Sequence, residues 1–210
     1  MSLPKPYYQD DAVTLYHGDC REILPFLGKF DLLLTDPPYG INAAKMTMGK
    51  GQSNKHESKR FEKKDWDQTR PEIEWMLGVA AKTCIWGGNY FSDILPPTNH
   101  WLIWHKQNDG RSFSECEMAW SDFGKQTRRF SWGWLHGGEQ KAHPTQKPEE
   151  LMRWCILQSG DSKTILDPFA GSGTTGRAAK DLGRKCVLIE REEKYCKIIM
   201  DRMAQEVLAL

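Results

Sequence analysis

The sequence predicts an α/β protein whose mostly parallel sheet is covered by helices on both faces. Seven short runs rich in branched and aromatic residues have the length of strands and are bounded by Gly, Pro, Asp or Asn. Several of these runs lack polar alternation, which is typical of parallel strands buried on both faces. Helical stretches lie between several of them, and this alternation predicts the α/β class. The predicted strands are residues 13–16, 30–35, 83–86, 101–104, 117–120, 164–166 and 186–189.

Five segments are predicted to form helices. The third begins near Pro148, which suits a first helical position, and Gly160 stands just past its end. The fourth stops before Gly183, another residue typical of a helix end. The predicted helices are residues 20–27, 72–82, 148–159, 174–182 and 192–208.

The composition predicts a single globular domain. The chain has 210 residues, of which 39% are hydrophobic and 27% are charged, so it can bury a sizeable core. No apolar run approaches the roughly 20 residues of a membrane-spanning helix, and the first residues lack the apolar stretch of a signal peptide. We therefore expect a cytoplasmic protein. The six cysteines are scattered without a Cys-x-x-Cys pair, so we expect reduced thiols and no metal site.

Basic residues are concentrated in two segments. Residues 41–64 hold seven basic and two acidic side chains, and residues 125–141 hold four basic and one acidic, although the net charge of the whole chain is only +1. Two basic segments on an otherwise acidic body favour a polyanion bound in one place, with solvated loops as the alternative. Residues 42–69 are polar and nearly devoid of branched apolar residues, which predicts a mobile loop.

The most informative motif follows the second predicted strand and reads Thr-Asp36-Pro37-Pro38-Tyr39-Gly. Ligands of open α/β sheets bind beyond the carboxyl ends of strands, so Asp36 and Tyr39 should face a crevice. The two prolines stiffen the turn and leave its carbonyl groups free to accept hydrogen bonds. Asp36 and the Pro37 carbonyl could each accept a hydrogen bond from one planar amine, and Tyr39 could stack on its ring. An ordinary Pro-Pro turn is the alternative.

A second motif, Asp167-Pro-Phe-Ala-Gly171-Ser-Gly173-Thr-Thr, runs from a predicted strand through a glycine turn into a predicted helix. Glycines let the backbone approach a ligand closely, and the helix start offers free N–H groups. The following strand ends at Glu190, about 20 residues on, where an acid is placed to hold ribose hydroxyls. The loop and Glu190 together predict a nucleoside-containing ligand, and NAD bound by a dehydrogenase remains an alternative.

Three segments taken together resemble the DNA amino-methyltransferases. Residues 35–40 resemble their catalytic motif, residues 167–175 their S-adenosylmethionine loop, and residues 143–148 the segment that helps to enclose the methionine part of the cofactor. The order of the three segments resembles the beta group. The resemblance implies a Rossmann-like S-adenosylmethionine-dependent methyltransferase fold, circularly permuted, and N6 methylation of an adenine that is flipped out of DNA. The Asp at the first position of the catalytic motif favours adenine over cytosine.

Site residues are implied by the same resemblance, position by position. Lys147 could hold the cofactor carboxylate, or it could be a surface lysine. Arg128 and Arg129 are expected to meet phosphates, whereas Trp132 belongs either to a DNA contact or to a strand face. The implied catalytic residues are Asp36, Pro37, Pro38 and Tyr39; the cofactor-binding residues are Asp19, Thr145, Lys147, Asp167, Pro168, Phe169, Gly171, Gly173, Thr174 and Glu190; and the DNA-binding residues are Lys45, Lys50, Lys55, Arg128, Arg129 and Trp132.

The predicted organisation is one methyltransferase domain over residues 1–210. It would carry a mobile DNA-binding loop at 42–69 and a small target-recognition insertion at about 105–141. N4-cytosine methylation, RNA adenine methylation and a non-catalytic DNA-binding protein of the same fold remain alternatives, and monomer and homodimer both stay open.

Overall fold

Nine strands form one sheet in a computed structural model that describes residues 2–41, 69–110, 114–133 and 146–205. The strands are β1 (Tyr8–Gln9), β2 (Val13–His17), β3 (Phe30–Thr35), β4 (Ala80–Trp86), β5 (His100–His105), β6 (Cys116–Ser121), β7 (Arg128–Ser131), β8 (Thr164–Asp167) and β9 (Lys185–Glu190). Their order across the sheet is β1-β2-β9-β8-β3-β4-β6-β5-β7.

The centre of the sheet is parallel. Strand β2 pairs with β9, β9 with β8, β8 with β3, and β3 with β4, all in parallel. Antiparallel pairing occurs toward the edges, where β1 joins β2 and where β6 lies between β4 and β5. The predicted mostly parallel sheet is confirmed, and all seven predicted strands are present. The parallel strands bring their carboxyl ends to one edge of the sheet.

Helices and short turns cover both faces of this sheet. The helices are α1 (Cys20–Ile23), α2 (Glu149–Gln158), α3 (Thr174–Asp181) and α4 (Glu193–Ala204). Helices α2, α3 and α4 pack in one buried cluster with Leu32 and Leu34, whereas α1 and the turns pack in a second cluster with Leu33. Successive residues of a strand point to opposite faces, so β3 contributes to both clusters and its end is held rigidly.

The predicted helix at residues 72–82 is wrong. Only Glu74–Met76 form a short 3-10 turn, and Ala80–Trp86 form strand β4. Gly78 lies in the left-handed region with φ of +92°, which ends the turn before the strand begins. Parallel pairing with all of β3 then outweighs the local helix propensity of the Ala-Ala-Lys segment.

Two other segments differ in extent from their predictions. The predicted helix at 20–27 is a single turn of α-helix followed by a 3-10 turn, Leu24–Phe26, that contains a proline near its start. Helix α4 begins as predicted and ends at Ala204, and residues 206–208 of its predicted span lie outside the described residues.

The predicted mobile loop lies almost wholly outside the described residues, which resume at Thr69. The described residues of the predicted 105–141 insertion contribute β6 and β7 to the main sheet. Within the described ranges, no helix is long and apolar enough to cross a membrane. The same residues contain no group of three or more His, Cys, Asp or Glu side chains able to hold a metal ion.

Candidate active site

A cavity of about 540 Å³ lies at the carboxyl edge of the parallel strands. It is lined by the residues that follow four strands, which is where ligands of open α/β sheets bind. Asp36 and Gly171, from the two predicted motifs, both line this one cavity, so the two motifs are adjacent. The strand-end residues of the lining are Gly18, Asp19, Cys20 and Arg21 after β2, Asp36 and Pro38 after β3, Asp167–Ser172 after β8, and Ile189–Glu192 at the end of β9.

The glycine loop is organised around the buried carboxylate of Asp167. Its Oδ1 accepts hydrogen bonds from Thr35 Oγ1 at 2.8 Å and from the Phe169 amide at 3.1 Å, and its Oδ2 accepts one from Thr175 Oγ1 at 2.6 Å. Burial raises the pKa of Asp167 to about 6, although the hydroxyl and amide donors oppose this shift. Asp167 therefore fixes the loop against β3 and α3.

Glycines shape the rest of this loop. Gly173 caps α3 with φ of +81°, and a Cβ there would lie 2.9 Å from Ile199 Cγ1, so any side chain would collide with α4. At Gly171, by contrast, an added Cβ would meet nothing within 4 Å. Its backbone therefore borders open space in the cavity, as expected of a position where a ligand approaches closely. Pro168, Phe169 and Thr174, also predicted to bind the cofactor, lie in or beside this loop; Phe169 and Thr174 are half-buried and buried, respectively.

Glu190 is the last residue of β9 and contacts the glycine loop. Its Oε2 accepts a hydrogen bond from the Gly171 amide at 2.9 Å, and its Oε1 accepts one from the Glu192 amide at 2.7 Å. Burial raises the pKa of Glu190 to about 7, against the effect of the two amides. The carboxylate is thus oriented by the loop that it faces, and its predicted ribose contact stays a prediction.

Asp19 caps the start of helix α1 and lines the cavity. Its carboxylate accepts a hydrogen bond from the Arg21 amide at 2.9 Å as the N-cap of α1 and forms an ion pair with the exposed Arg21 guanidinium. Thr145 was also predicted to bind the cofactor, and it lies outside the described residues.

The Asp36 carboxylate has partners on both oxygens. Asp36 Oδ1 accepts a hydrogen bond from the Tyr39 hydroxyl, and Asp36 Oδ2 lies 2.6 Å from Lys147 Nζ. The Asp36 side chain is 20% exposed. Burial raises the pKa of Asp36, and the Lys147 ammonium opposes that shift. The adjoining Pro37 is buried, while Pro38 lines the cavity, so the turn presents the carboxylate from a rigid base.

Tyr39 packs against the turn that follows β4. Its ring stacks on Tyr90 with centroids 4.9 Å apart and an interplanar angle of 19°. A Cβ added to Gly87 would lie 2.0 Å from a ring carbon of Tyr39, so only glycine admits the ring there. The predicted role of Tyr39 in stacking on a base stays a prediction, and the contacts to Gly87 and Tyr90 were not anticipated from the sequence.

Lys147 forms an ion pair with Asp36, a contact that the sequence did not predict. Its side chain is 5% exposed, and its Nζ also lies 3.0 Å from Glu117 Oε2 and 3.2 Å from the Tyr39 hydroxyl. Glu117 in turn pairs with Lys106 at 2.6 Å. Lys147 also lines the cavity, so its predicted contact with a cofactor carboxylate stays a prediction. Glu117 and Lys106 were missed, and the one signal for Glu117 was an acid at the start of an apolar strand run.

The predicted DNA-binding residues lie away from the cavity lining or outside the described residues. Arg128 and Arg129 are exposed on β7, the last strand of the sheet. Trp132 follows this strand, half-buried, and its ring stacks on Phe130 at 6.1 Å. The strand-face interpretation of Trp132 therefore explains the packing of one part of its side chain. Lys45, Lys50 and Lys55 lie outside the described residues.

Comparison with known proteins identifies the family. The sequence profile of the DNA methylase family, which comprises N6 and N4 methyltransferases, matches residues 60–201. The chain belongs to this DNA methylase family. The predicted enzyme class, a DNA methyltransferase, and the predicted cofactor, S-adenosylmethionine, are confirmed by this membership, and the dehydrogenase alternative finds no support.

Curated relatives of this DNA methylase cover nearly its whole length. It is 28% identical to the Type II methyltransferase M2.LlaDCHI of Lactococcus lactis subsp. cremoris, over 96% of this chain and 93% of that protein. It is also 28% identical to the Type II methyltransferase M2.DpnII of Streptococcus pneumoniae, over 97% of this chain and 94% of that protein.

Solved structures share the fold of this DNA methylase. The M1.HpyAVI–SAM complex superposes with a TM-score of 0.61 at 23% identity, covering 92% of this chain and all of that one. The cytosine-N4-specific PvuII DNA methyltransferase superposes with a TM-score of 0.61 at 18% identity, covering 98% of this chain and 91% of that one. The predicted Rossmann-like methyltransferase fold is confirmed.

Proposed function

We propose that this DNA methylase transfers a methyl group from S-adenosylmethionine to the N6 amino group of an adenine flipped out of DNA. The observation that carries the proposal is that the Asp36 carboxylate and the Gly171 loop line one cavity. A target amine held at Asp36 would thus stand beside a donor held at the loop. In-line transfer needs this adjacency, because the reacting atoms must approach to roughly 3–3.5 Å.

The residues present suit S-adenosylmethionine. The cavity, about 540 Å³, falls within the roughly 300–1,000 Å³ of small-molecule sites. Glu190 is oriented to accept hydrogen bonds from ribose hydroxyls, and the open face of Gly171 leaves room for the ligand against the backbone. Asp19, another charged residue of the lining, is proposed to lie near the adenosine end of the cofactor, whereas Lys147 is held by Asp36 and Glu117. When bound, the cofactor supplies an electrophilic methyl group on a sulfonium.

Asp36 activates the acceptor in this proposal. An adenine amino group is a poor nucleophile, because its lone pair is delocalised into the ring. Hydrogen bonds from its two N–H groups to the Asp36 carboxylate and the Pro37 carbonyl favour a pyramidal nitrogen and stabilise the positive charge that develops on it. Asp36 is then placed to take the proton that the methylated amine releases, and its raised pKa suits that step.

The target base must leave the duplex to reach this site. The exocyclic amine is enclosed within the stack of double-stranded DNA, so the nucleotide has to be extruded into the cavity. Exposed Arg128 and Arg129 on β7 are proposed to contact phosphates, and the 105–141 segment is proposed to recognise the target sequence. The assignment of 42–69 as a DNA-binding loop is part of the same proposal.

The test is methyl transfer followed by nucleoside analysis. Wild-type protein is incubated with S-adenosylmethionine carrying a deuterated methyl group and with genomic DNA or total RNA, and the digested nucleosides are separated by mass spectrometry. Labelled N6-methyldeoxyadenosine is expected from DNA, and Asp36→Asn should abolish it. Labelled N4-methyldeoxycytidine, label in RNA alone, or no label in any nucleoside would each overturn the proposal.

A further inference from the structure

Four buried or half-buried charged side chains form a group that includes Asp36, the proposed acceptor for the target amine. They come from four separate parts of the chain: Asp36 follows β3, Lys106 follows β5, Glu117 lies on β6, and Lys147 precedes α2. Lys147 Nζ contacts Asp36 Oδ2 at 2.6 Å and Glu117 Oε2 at 3.0 Å, and Lys106 Nζ contacts Glu117 Oε1 at 2.6 Å. Two carboxylates and two ammonium groups therefore alternate in one chain of ion pairs with no net formal charge.

The Lys147 ammonium is saturated by this arrangement. An ammonium group has three N–H donors, and Lys147 has three oxygen partners: Asp36, Glu117 and the Tyr39 hydroxyl, the last at 3.2 Å. The rings of Tyr39 and Trp86 add cation–π contacts, with each centroid 5.7 Å from Nζ. Such a side chain has little freedom to rotate away from Asp36.

Glu117 anchors Lys147 from the other side. Its carboxylate is held between two ammonium groups, and these lower the pKa of Glu117 to about 2 against the effect of burial. Glu117 is therefore ionised throughout the physiological range. Because it is fixed on β6, which is paired on both sides by β4 and β5, it sets the position of the Lys147 ammonium relative to the end of β3.

We propose that Lys147 and Glu117 are positioning residues for methyl transfer: Lys147 keeps Asp36 oriented and ionised, and Glu117 fixes Lys147 in place. The inference rests on the proposed function of Asp36 as the hydrogen-bond acceptor for the target amine. Neither residue needs to touch the base for this role, since both act through the Asp36 carboxylate.

The electrostatics give the proposal a distinctive signature. A protonated Asp36 has less acceptor capacity, so its ionisation limits the reaction at low pH. Three charged groups face Asp36: the Lys147 ammonium favours its ionisation, whereas the Glu117 and Asp167 carboxylates oppose it. The Tyr39 hydroxyl also donates a hydrogen bond to Asp36. Removing the Lys147 charge should raise the pKa of Asp36, whereas removing the Glu117 charge should lower it. A purely structural role predicts no such opposite shifts.

Two measurements test these shifts. The first is the acid limb of the pH–kcat profile for DNA methylation at saturating cofactor. The second is a ¹³C NMR titration of aspartate carboxyl groups in protein without cofactor or DNA, with the Asp36 signal assigned by its disappearance in Asp36→Asn. The variants are Lys147→Met, Lys147→Arg and Glu117→Gln, with Lys163→Met and Glu22→Gln as matched substitutions at exposed positions.

Lys147→Met is expected to move both midpoints upward by about one pH unit or more, so that kcat becomes about tenfold lower than that of wild type at pH values below the wild-type midpoint. Glu117→Gln should move both midpoints downward and lower the plateau kcat, without changing the affinity for S-adenosylmethionine. Lys147→Arg, which keeps the charge, should retain the wild-type midpoint, and it supplies the comparison if Lys147→Met unfolds. The two exposed-site variants should match wild type.

Unchanged midpoints in folded Lys147→Met and Glu117→Gln, or shifts of the same sign in both, would overturn the positioning role. Failure of the proposed function has a different outcome, because wild type would then transfer no methyl group to the N6 amine of adenine in DNA. The NMR titration needs neither substrate nor cofactor, and so it would still decide whether Lys147 and Glu117 control the ionisation of Asp36.

Discussion

Thr35 Oγ1 donates a hydrogen bond of 2.8 Å to Asp167 Oδ1, across 132 residues of sequence. Thr35 is the last residue of β3, directly before Asp36, and Asp167 is the first residue of the glycine loop. Both side chains are buried. The bond therefore couples the strand end that presents Asp36 to the loop proposed to hold the methyl donor.

Thr35→Val tests this coupling. The substitution is nearly isosteric, but it leaves a buried Asp167 oxygen with fewer donors, which should destabilise the fold by about 1–3 kcal/mol. The pKa of Asp167 should rise further, because the variant lacks one of the hydrogen bonds that oppose its raised pKa. Urea unfolding gives the stability change, and kcat with KM for S-adenosylmethionine gives the functional one. We expect kcat to fall more than the cofactor affinity.

Thr14→Val, at a half-buried position on β2, is the control for Thr35→Val because it makes the same change on another parallel strand. It should preserve kcat. Equal losses of kcat in the two variants would show that the Thr35 bond has no special role in aligning the two motifs.

Gly87→Ala should disable the enzyme through Tyr39. The added methyl group would lie 2.0 Å from the Tyr39 ring, and the backbone there is left-handed, with φ of +67°. The Tyr39 ring, whose hydroxyl donates a hydrogen bond to Asp36, must therefore move. A displacement of this kind near the reacting atoms lowers kcat on the order of 100-fold. Methyl-transfer kinetics and calorimetric binding of S-adenosylmethionine should show greatly reduced turnover with retained cofactor binding.

Gly183→Ala separates the clash from backbone strain. Gly183 has a similar φ of +64°, but an added Cβ there meets nothing within 4 Å. Both variants share the left-handed strain of roughly 1–2 kcal/mol, so Gly183→Ala should lose stability while keeping its kcat. Similar turnover in the two alanine variants would contradict the role given to the packing of Gly87 against Tyr39.

The local parts of this site could be predicted from sequence, and the parts that depend on sheet pairing could not. Asp36, Gly171 and Glu190 each follow or end a recognisable apolar strand run, and the rule that parallel strand ends share one edge brings them together. Glu117 and Lys106 reach the site only because β6 runs antiparallel between β4 and β5. No local pattern specifies that register, and so their contacts with Lys147 were missed.

The wrong helix at residues 72–82 has the same origin. Its sequence favours a helix locally, but β3 offers pairing along its whole length to Ala80–Trp86. Strand propensity is largely a matter of packing against neighbours, and the neighbour in this case lies about 50 residues earlier in the chain. The requirement for glycine at Gly87 could not be predicted from the local sequence either, because it comes from the Tyr39 ring.

The raised pKa of Glu190 predicts a pH-dependent stability. In the unfolded chain this carboxyl titrates near its ordinary pKa of 4.5, whereas burial in the fold raises it to about 7. Between these values the folded state binds more protons than the unfolded state, so stability falls as pH rises through this window. The total contribution is about 3 kcal/mol at most. Thermal unfolding at several pH values across this window measures it.

Glu190→Gln should flatten this dependence, because the side chain no longer titrates. Its two amide contacts change as well, so the slope with pH is the relevant quantity, rather than the stability at any single pH. An undiminished slope in Glu190→Gln would assign the effect to Asp167, the other buried acid with a raised pKa of about 6.

DNA binding should depend on salt through two separable basic regions. Removing one phosphate contact makes the slope of log K against log salt shallower by about 0.9. Arg128→Gln with Arg129→Gln neutralises two exposed charges on the edge strand β7, and Lys45→Gln, Lys50→Gln and Lys55→Gln together neutralise part of the 41–64 segment. Fluorescence anisotropy with a labelled duplex, measured from low to high salt, should give a shallower slope for each set than for wild type.

The choice of DNA separates phosphate contacts from base contacts in these variants. A phosphate role predicts that affinity falls similarly for specific and unrelated duplexes, because the backbone charge is the same in both. A reduction confined to one sequence would instead indicate base contacts, and an unchanged slope would remove that region from the interface. Lys163→Gln, at an exposed lysine outside both basic segments, should keep the wild-type slope. A shallower slope in this control would mean that the salt dependence reports the overall charge of the protein rather than a defined DNA interface.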